Sequence, residues 1–488
     1  MKKVRILLSV LALCLVTVMA AFALTSCFGP DEVFEIIYDE DGNDTGNARL
    51  VSVSTRGEYT VPETWEGRPV TEIGPEAFNG SNKMTKLNIP SSVEYINIQS
   101  LKWFGMYLEE IHYIGEGNYT TIDGILYSKG GEELLVYPKA HRATAYVTPD
   151  CLKYIRGECT ISEVWYLEEV YIGDSVEEIG NWALNLQLSN GECRVRKLSI
   201  PAKFLGYNEN DMFCVTATHV KELVITNGYE IPDNALFQFD NCVEKVVLPE
   251  GVGVIGDMFT AQNLKEVNVP DSVEHIGKEF CLYSKVESIT LPEGLKTLGR
   301  GSFGNCDYLN ELVIPDSVEV SGEGWILGGS LKRLTASLSV MQRVAFDEIE
   351  LEEATVTKIG TLIDEVWCTE INAKHIVFGE NVHSIPYARI RLTDNVNKVT
   401  ILGNVSEING DMFTESAVSQ IILPETVTYI NAASVAVRQE ISLVICHKGE
   451  QSSCHIDEVE MTLPENITVS WNYKEPVEPP CQMEGEQG

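Results

Sequence analysis

Apolar residues follow one repeated phrase along residues 243–315, and each copy of the phrase ends on a proline. The four copies read VEKVVLP, LKEVNVP, VESITLP and LNELVIP, with their prolines at intervals of 21 to 23 residues. In an extended chain the alternating apolar residues of each phrase point to one face, while their neighbours point outward. Proline then ends the strand, because it has no N–H for the ladder. Each phrase therefore predicts a short strand with one buried face.

A second apolar phrase follows each of the first three prolines. The copies read GVGVIGDMF, SVEHIGKEF and GLKTLGRGSF, and they end on Phe259, Phe280 and Phe303. The two aliphatic residues three apart turn inward, the glycine permits a bend, and the phenylalanine fills the space between successive repeats. One repeat is then one turn of a coil.

A single coil of this kind cannot be stable alone. Its few buried apolar side chains contribute roughly 1.5–3 kcal/mol each, whereas ordering the backbone costs about 1–2 kcal/mol for every residue. Stacking the coils buries both open faces of each one, so the array must be long and capped. The spacing thus predicts a mainly β repeat solenoid rather than a compact globule.

Similar strand phrases continue on both sides of this block, which makes about thirteen coils in all. They lie at Met84–Pro90, Leu108–Tyr113, Leu167–Ile172, Val195–Pro201, Val220–Ile225, Leu331–Ala336, Ala373–Phe378, Val396–Leu402 and Val418–Pro424. The pattern is least regular near residues 137–166 and 337–372, where the segment Ile349–Glu353 interrupts it. We expect kinks or loops at these two places.

The first 26 residues have the pattern of an export signal. Lys2, Lys3 and Arg5 precede the apolar run Ile6–Leu24, and such a segment is excluded from the fold. A transmembrane anchor is the alternative, because the run is fairly long. The four residues that end at Cys27, LTSC, resemble the bacterial lipoprotein box. This resemblance implies cleavage before Cys27, a lipid on its thiol, and attachment to the extracellular face of a bacterial membrane. Residues 27–33 would be a tether.

Two strand-like runs, Phe34–Tyr38 and Arg49–Val53, flank an acidic loop at residues 39–45. Alternating Asp39, Asp41 and Asn43 raise the alternative of a calcium site, but Asp44 and Leu50 stand where a calcium loop needs glycine and glutamate. The Asp-Gly pair instead favours a hairpin turn. We therefore predict an N-terminal β-hairpin cap at residues 34–66.

Two further segments resemble the BspA-type leucine-rich repeat proteins. They are Trp65–Phe78, WEGRPVTEIGPEAF, and Ile122–Pro138, IDGILYSKGGEELLVYP. The resemblance implies a leucine-rich-repeat horseshoe over residues 67–440, with a parallel concave sheet and short turns or helical segments on the convex side. Residues 441–474, which include the strand-like ITVSWNY, are similar to the family's terminal cap. Residues 475–488 are rich in proline, glutamate and glycine, which predicts a disordered acidic tail.

Charge and cysteine content narrow the classes of function. The chain has 72 acidic and 36 basic residues and a formal net charge of −36, which argues against nucleic acid as a partner. With Cys14 in the signal and Cys27 lipidated, an odd number of cysteines remains, so a complete disulfide framework is excluded. Cys242 and Cys306 are expected to be buried hydrophobes. Local bridges between Cys151 and Cys159 and between Cys446 and Cys454 stay open.

The sequence contains no common signature of hydrolysis or phosphate binding. Cys446, His447, Cys454 and His455 could be soft metal ligands, but their spacing is not a standard zinc pattern. A bridge or a plain loop is the alternative there. We therefore assign no catalytic, cofactor-binding or metal-binding residue and expect no enzyme activity.

The outward positions of the predicted strands form two columns along the sheet, with coils about 4.8 Å apart. The first column is charged, and we expect its members to pair laterally between coils, with direct contact to a ligand as the alternative. The second column is almost uncharged and has several apolar members, so we predict a contact surface there. The alternative is that β-branched residues occur in it because they are good strand formers. Its candidate contact residues are Tyr171, Val224, Val247, Asn268, Thr290 and Val313.

These features favour a lipid-anchored extracellular binding or adhesion protein. The expected partner is an extracellular protein or glycoprotein of a host or of another bacterium, and we expect the chain to be a monomer. A non-catalytic envelope scaffold or an accessory protein for glycan capture is the alternative. Sugars stack on exposed aromatic rings, and of the residues in the two columns only Tyr171 is aromatic, which weakens the glycan alternative.

Overall fold

The computed structural model describes residues 31–157, 160–186, 194–207, 212–320, 330–344, 349–362, 368–459 and 461–475. The chain divides into two compact units, Met1–Leu223 and Val224–Gly488. In each unit the strands are short and mostly parallel, and strands from successive coils pair with one another. The predicted parallel β solenoid is thereby confirmed.

The first unit contains nineteen strands among the described residues, and a twentieth straddles the boundary between the units. They are β1 (Asp31–Tyr38), β2 (Asp44–Ser54), β3 (Arg56–Thr60), β4 (Thr64–Trp65), β5 (Arg68–Ile73), β6 (Lys83–Pro90), β7 (Tyr95–Ile96), β8 (Glu110–Ile114), β9 (Tyr119–Ile122), β10 (Ile125–Ser128), β11 (Glu133–Val136), β12 (Ala145–Val147), β13 (Tyr154–Ile155), β14 (Ile161–Ser162), β15 (Glu169–Tyr171), β16 (Glu178–Ile179), β17 (Leu184–Leu186), β18 (Lys197–Ile200), β19 (Val215–Ala217) and β20 (Glu222–Ile225).

The second unit contains the remaining strands of the described chain. They are β21 (Glu230–Ile231), β22 (Lys245–Val247), β23 (Val254–Ile255), β24 (Glu266–Val267), β25 (His275–Ile276), β26 (Thr297–Leu298), β27 (Glu311–Val313), β28 (Glu319–Val320), β29 (Arg333–Ala336), β30 (Leu351–Val356), β31 (Thr369–Ile371), β32 (Ala373–Phe378), β33 (Ile390–Leu392), β34 (Lys398–Ile401), β35 (Glu407–Ile408), β36 (Gln420–Leu423), β37 (Tyr429–Asn431), β38 (Leu443–His447), β39 (His455–Asp457) and β40 (Ile467–Ser470).

Helix is scarce in the described part of the chain. One α-helix lies in each unit, α1 (Ile98–Phe104) and α2 (Leu338–Met341). Single 3-10 turns lie at Lys129–Gly131, Ala202–Phe204, Phe237–Phe239, Tyr387–Arg389, Asp411–Phe413, Ala432–Val435 and Gln451–Ser453. Among the described residues, no helix is long enough and apolar enough to span a membrane.

The chain of the first unit begins with an antiparallel hairpin, β1 on β2. Its turn is held by the Asp39 carboxylate, which accepts the backbone N–H of Asp41 at 3.0 Å and that of Asn43 at 2.7 Å. This carboxylate therefore stabilises the predicted Asp-Gly turn. A second hairpin, β9 on β10, turns at Asp123 and Gly124, which both have positive φ as such two-residue turns require.

Each regular coil of the second unit contributes to two parallel ladders. The first phrase of the repeat forms strands such as β27 and β29, which begin a ladder of eight that ends at β40. The second phrase forms two-residue strands, and β21, β23, β25, β26 and β28 pair in that order. The second ladder was not predicted, because two residues are too few to show a period along the sequence.

Two segments depart from the expected pattern. The predicted interruption at 349–353 is wrong, because Leu351–Val356 is a regular strand that pairs with β29 and with β32. Its inward residues, among them Ala354, are fully buried, while Glu353 occupies an outward position beside Arg333. Conversely, residues 286–292 lie within the described chain but form no strand.

Phenylalanine side chains fill the space between coils, as the repeat predicts. The rings of Phe259 and Phe280 stack with their centroids 5.7 Å apart, and Phe280 meets Phe303 edge-on at 5.8 Å. All three side chains are at most 1 % exposed. Cys242 and Cys306 are also buried, as expected.

The two disulfide bridges that the sequence left open have different outcomes. Cys446 and Cys454 are free, with Cys446 buried and Cys454 half-buried. Cys159 lies outside the described residues, so the Cys151–Cys159 bridge stays untested.

Glycine at the bend of the second phrase is required by the close approach of neighbouring coils. A Cβ at Gly299 would lie 2.5 Å from the carbonyl oxygen of Gly277 and 2.5 Å from the amide nitrogen of Lys278. Backbone atoms cannot yield to such a contact without shifting the coil. Gly299→Ala should therefore destabilise the protein by about 1–3 kcal/mol, measured by urea denaturation.

Gly294 is the matched control, because it lies in the same coil and the nearest atom to its added Cβ is 3.8 Å away. Gly294→Ala should change the free energy of unfolding by at most about 0.5–1 kcal/mol, and a gain in stability is the expected sign. Equal losses for the two variants would contradict the close coil contact.

Candidate contact surface

The first outward column is a row of lateral ion pairs between adjacent coils. Lys197 pairs with Glu222 at 3.4 Å, Lys245 with Glu266 at 3.2 Å, and Arg333 with Glu311 at 2.8 Å. The side chains of these pairs are between 36 % and 68 % exposed, so solvent screens each pair and its contribution to stability is small. The predicted lateral pairing is confirmed.

A hydrogen-bonded cluster continues this column in the second unit. His375 pairs through Nδ1 with Glu353 at 2.9 Å and contacts Thr400 Oγ1 through Nε2 at 2.9 Å. Burial lowers the pKa of His375 and Lys398 lowers it further, whereas Glu353 opposes both effects. Both ring nitrogens are thus occupied by neighbouring coils, which gives His375 a structural role.

The second outward column is exposed only in part. Tyr171 is 42 % exposed and Val313 is 47 % exposed. Asn268 and Thr290 are also exposed, whereas Val224 and Val247 are half-buried. Towards the C-terminus, Thr400 and Ile422 belong to the same predicted column but are 5 % and 1 % exposed. The expectation that the whole column faces solvent is therefore wrong at its C-terminal end.

The predicted contact surface is also interrupted within the second unit. Val247 lies on β22, and the ladder that contains β22 stops at the next strand, β24. Val313 lies on β27, which begins another ladder. Thr290 lies between them, in the segment without a strand. The ladders therefore present Val247 and Val313 from separate parts of the second unit's sheet surface.

Asn268 has a structural contact that the sequence did not reveal. Its Oδ1 accepts the backbone N–H of Leu248 at 2.7 Å, and its Nδ2 donates to the carbonyl oxygen of Leu248 at 2.9 Å. The side-chain amide thus replaces a pair of ladder bonds between adjacent coils. Both polar atoms of the Asn268 side chain therefore already have a hydrogen-bond partner before any ligand binds.

Tyr171 lies in a shallow depression of the first unit, with a volume of about 360 Å³. Val147 and Ser199 flank it in the register of the parallel strands, and Val147 is 64 % exposed. Glu169 and Lys197 line the same depression. Val147 was missed because its coil falls in residues 137–166, where the repeat pattern is weak.

The cysteine and histidine pairs near the C-terminus do not assemble a metal centre in the described chain. His447 is fully buried, its Nε2 contacts the carbonyl oxygen of Val427 at 2.8 Å, and its Nδ1 accepts the N–H of Gly449 at 2.9 Å. Backbone groups therefore satisfy both ring nitrogens.

The repeat pattern agrees with a family model. A model of the BspA type leucine rich repeat region matches six copies, over residues 64–126, 229–352 and 330–442, which together cover more than half of the chain. The chain belongs to the BspA-type leucine-rich repeat family. Proteins of this BspA-type family are typical of bacterial cell surfaces and of binding or adhesion roles.

Solved structures of bacterial leucine-rich repeat proteins are among those that match this BspA-type chain. One from Eubacterium ventriosum is 19 % identical and has a TM-score of 0.32. The match covers 50 % of this chain and 63 % of the E. ventriosum chain. A leucine-rich repeat protein from Bacteroides ovatus is 15 % identical, has a TM-score of 0.21, and matches 90 % of this chain and 89 % of its own. A leucine rich cell surface protein from Faecalibacterium prausnitzii is 15 % identical and has a TM-score of 0.19. The match covers 87 % of this chain and 97 % of the F. prausnitzii chain. No curated protein matches the sequence.

Proposed function

We propose that this BspA-type chain is a lipid-anchored protein on the extracellular face of a bacterial membrane. On this proposal it binds an extracellular protein or glycoprotein through the outward face of its strands, and it has no catalytic role. The observation that carries the proposal is the contrast between the two columns. Charges in the first column are paired with one another, whereas the second column presents exposed apolar side chains such as Val313.

The energetics support a contact surface in the second column. Removing exposed apolar area from water contributes about 25 cal/mol per Å², and the neighbouring ion pairs can form the polar rim that typical interfaces have. Tyr171 in the first unit and Val247 and Val313 in the second unit are the residues to which we assign the contact.

A pull-down from host extract with the soluble fragment 28–474 identifies the partner. The double variant Val247→Lys and Val313→Lys should then weaken binding by about tenfold or more, because each lysine places a charge in the apolar contact. Binding is measured by surface plasmon resonance. The melting temperature should be unchanged, since both side chains reach solvent.

Val459→Lys is the matched control, because Val459 is 89 % exposed and lies outside both columns. It should keep full affinity for the partner. Full affinity of the Val247/Val313 double variant would show that these outward positions do not form the contact.

The anchor is proposed from the sequence, because Cys27 lies outside the described residues. In Cys27→Ala the LTSC box loses the thiol that would carry the lipid. The variant should move from the detergent phase to the aqueous phase in Triton X-114 partitioning. Unchanged partitioning would show that Cys27 does not hold the anchor.

A further inference from the structure

A groove of about 570 Å³ opens on the first unit, away from both outward columns. Strand β7, the start of α1, strand β9, the β10–β11 segment and the end of β13 surround it, so three consecutive coils contribute to its walls. Its volume falls within the range of about 300–1,000 Å³ that is typical of small-molecule sites. The lining is mixed, with aromatic, amide, hydroxyl and charged side chains.

Exposed aromatic rings lie in and beside the groove. Tyr95 lines the groove and is 54 % exposed. Trp103 is 72 % exposed, and its indole N–H donates to Oε1 of Gln99, a lining residue, at 2.6 Å. This hydrogen bond places Trp103 next to the groove. Both exposed rings offer flat apolar surfaces to a ligand, and the hydrogen bond lowers the conformational entropy that Trp103 would lose on binding.

Tyr119 contributes a hydroxyl with a fixed position. Its Oη accepts the backbone N–H of Ile96 at 2.9 Å, and its ring packs edge-on against Tyr113 at 5.6 Å. Burial raises the pKa of Tyr119, so the hydroxyl keeps its proton at neutral pH. The oxygen already accepts one bond, and its proton is available to donate to another group.

Charged groups at the groove are paired within the protein. Arg156 and Glu133 form an ion pair at 2.7 Å. Lys102 is 8 % exposed, and its ammonium donates to the carbonyl oxygen of Gly157 at 3.1 Å and to Thr160 Oγ1 at 2.9 Å. Such groups present directional donors and acceptors without requiring a charged ligand.

We propose that this groove binds a neutral oligosaccharide. A sugar ring has an apolar C–H face that suits Tyr95 and Trp103, and its hydroxyls suit the Tyr119 hydroxyl and the Arg156–Glu133 pair. A purely apolar ligand would give the proton of the Tyr119 hydroxyl no acceptor. The site is separate from the outward columns, so it goes beyond the proposed function and does not depend on it.

A glycan array probed with the full chain tests this inference. The array carries maltotriose, cellotriose and triacetylchitotriose as neutral probes and sialyllactose as the acidic probe. We expect at least one neutral trisaccharide to bind. The Tyr95→Ala and Trp103→Ala variants should each weaken that binding by about tenfold, as expected for the loss of one aromatic platform.

Tyr38→Ala is the matched control, since Tyr38 is 59 % exposed in the N-terminal hairpin and does not line the groove. It should keep full glycan binding, and the Val247→Lys/Val313→Lys variant should keep it as well. Equal melting temperatures for all variants separate lost contacts from unfolding. Failure of every neutral probe to bind, binding of sialyllactose alone, or full binding by the Tyr95/Trp103 double variant would overturn the assignment.

Discussion

Replacing Phe303 with alanine should lower the free energy of unfolding by about 3–5 kcal/mol, because it opens a cavity between two coils. The ring is 1 % exposed and packs edge-on against Phe280, whose other neighbour in the row is Phe259. Alanine cannot refill the space. The backbone ladders fix the spacing of the coils, so the coils cannot move together to close the cavity. Urea denaturation followed by circular dichroism measures the loss.

Tyr308→Ala is the control for this variant, because it also truncates an aromatic ring five positions along the same coil, where the side chain is 51 % exposed. It should cost far less than Phe303→Ala. The change Glu486→Ala in the predicted tail should be silent. If Phe303 and Tyr308 were equally sensitive, the assignment of the inward position would be wrong.

The double variant Val246→Lys and Leu312→Lys should unfold the second unit. Both residues are 1 % exposed and point inward, one position before Val247 and Val313. Burying a lysine ammonium without a partner costs several kcal/mol, which is comparable to the total stability of a typical domain. The cooperative unfolding transition should disappear or move to much lower urea concentration.

The outward double variant, Val247→Lys with Val313→Lys, has the same chemistry on the neighbouring positions of the same two strands. It should fold normally, because successive side chains of a strand point to opposite faces. Loss of folding in the outward pair, or tolerance of the inward pair, would show that the register of these strands is different.

The sequence revealed the repeat because its apolar phrases and prolines recur at short intervals. The coil at Leu351–Val356 escaped prediction for a local reason. Glu353 occupies an outward position between Arg333 and His375, where a carboxylate stabilises two basic neighbours. Two consecutive acidic residues in a sequence suggest a loop. A strand can nevertheless contain them when one of the two points outward to solvent.

The contact surface was harder to predict than the fold. Alternation identifies the outward position of a strand, but it does not show which outward residues are covered by other parts of the chain. Ile422 is an outward residue by its place in the repeat and is 1 % exposed. Asn268 was assigned as a contact residue, although its amide bonds to the backbone of Leu248.

The groove of the first unit had no signal in the sequence. Tyr95, Tyr119 and Arg156 are separated by more than twenty residues from one another, and they meet only because consecutive coils stack. Counting aromatic residues in the two strand columns argued against glycan binding, because that count excluded the side of the coil where Tyr95 and Trp103 lie.

Hydroxyl-radical footprinting of the chain with and without its captured partner tests the proposed contact most directly. The method reads the solvent access of individual side chains. On our account Val247, Val313 and Tyr171 lose reactivity when the partner binds, while Tyr38 keeps it. Unchanged reactivity at Val247 and Val313, with protection elsewhere on the chain, would contradict binding through the outward face of the strands.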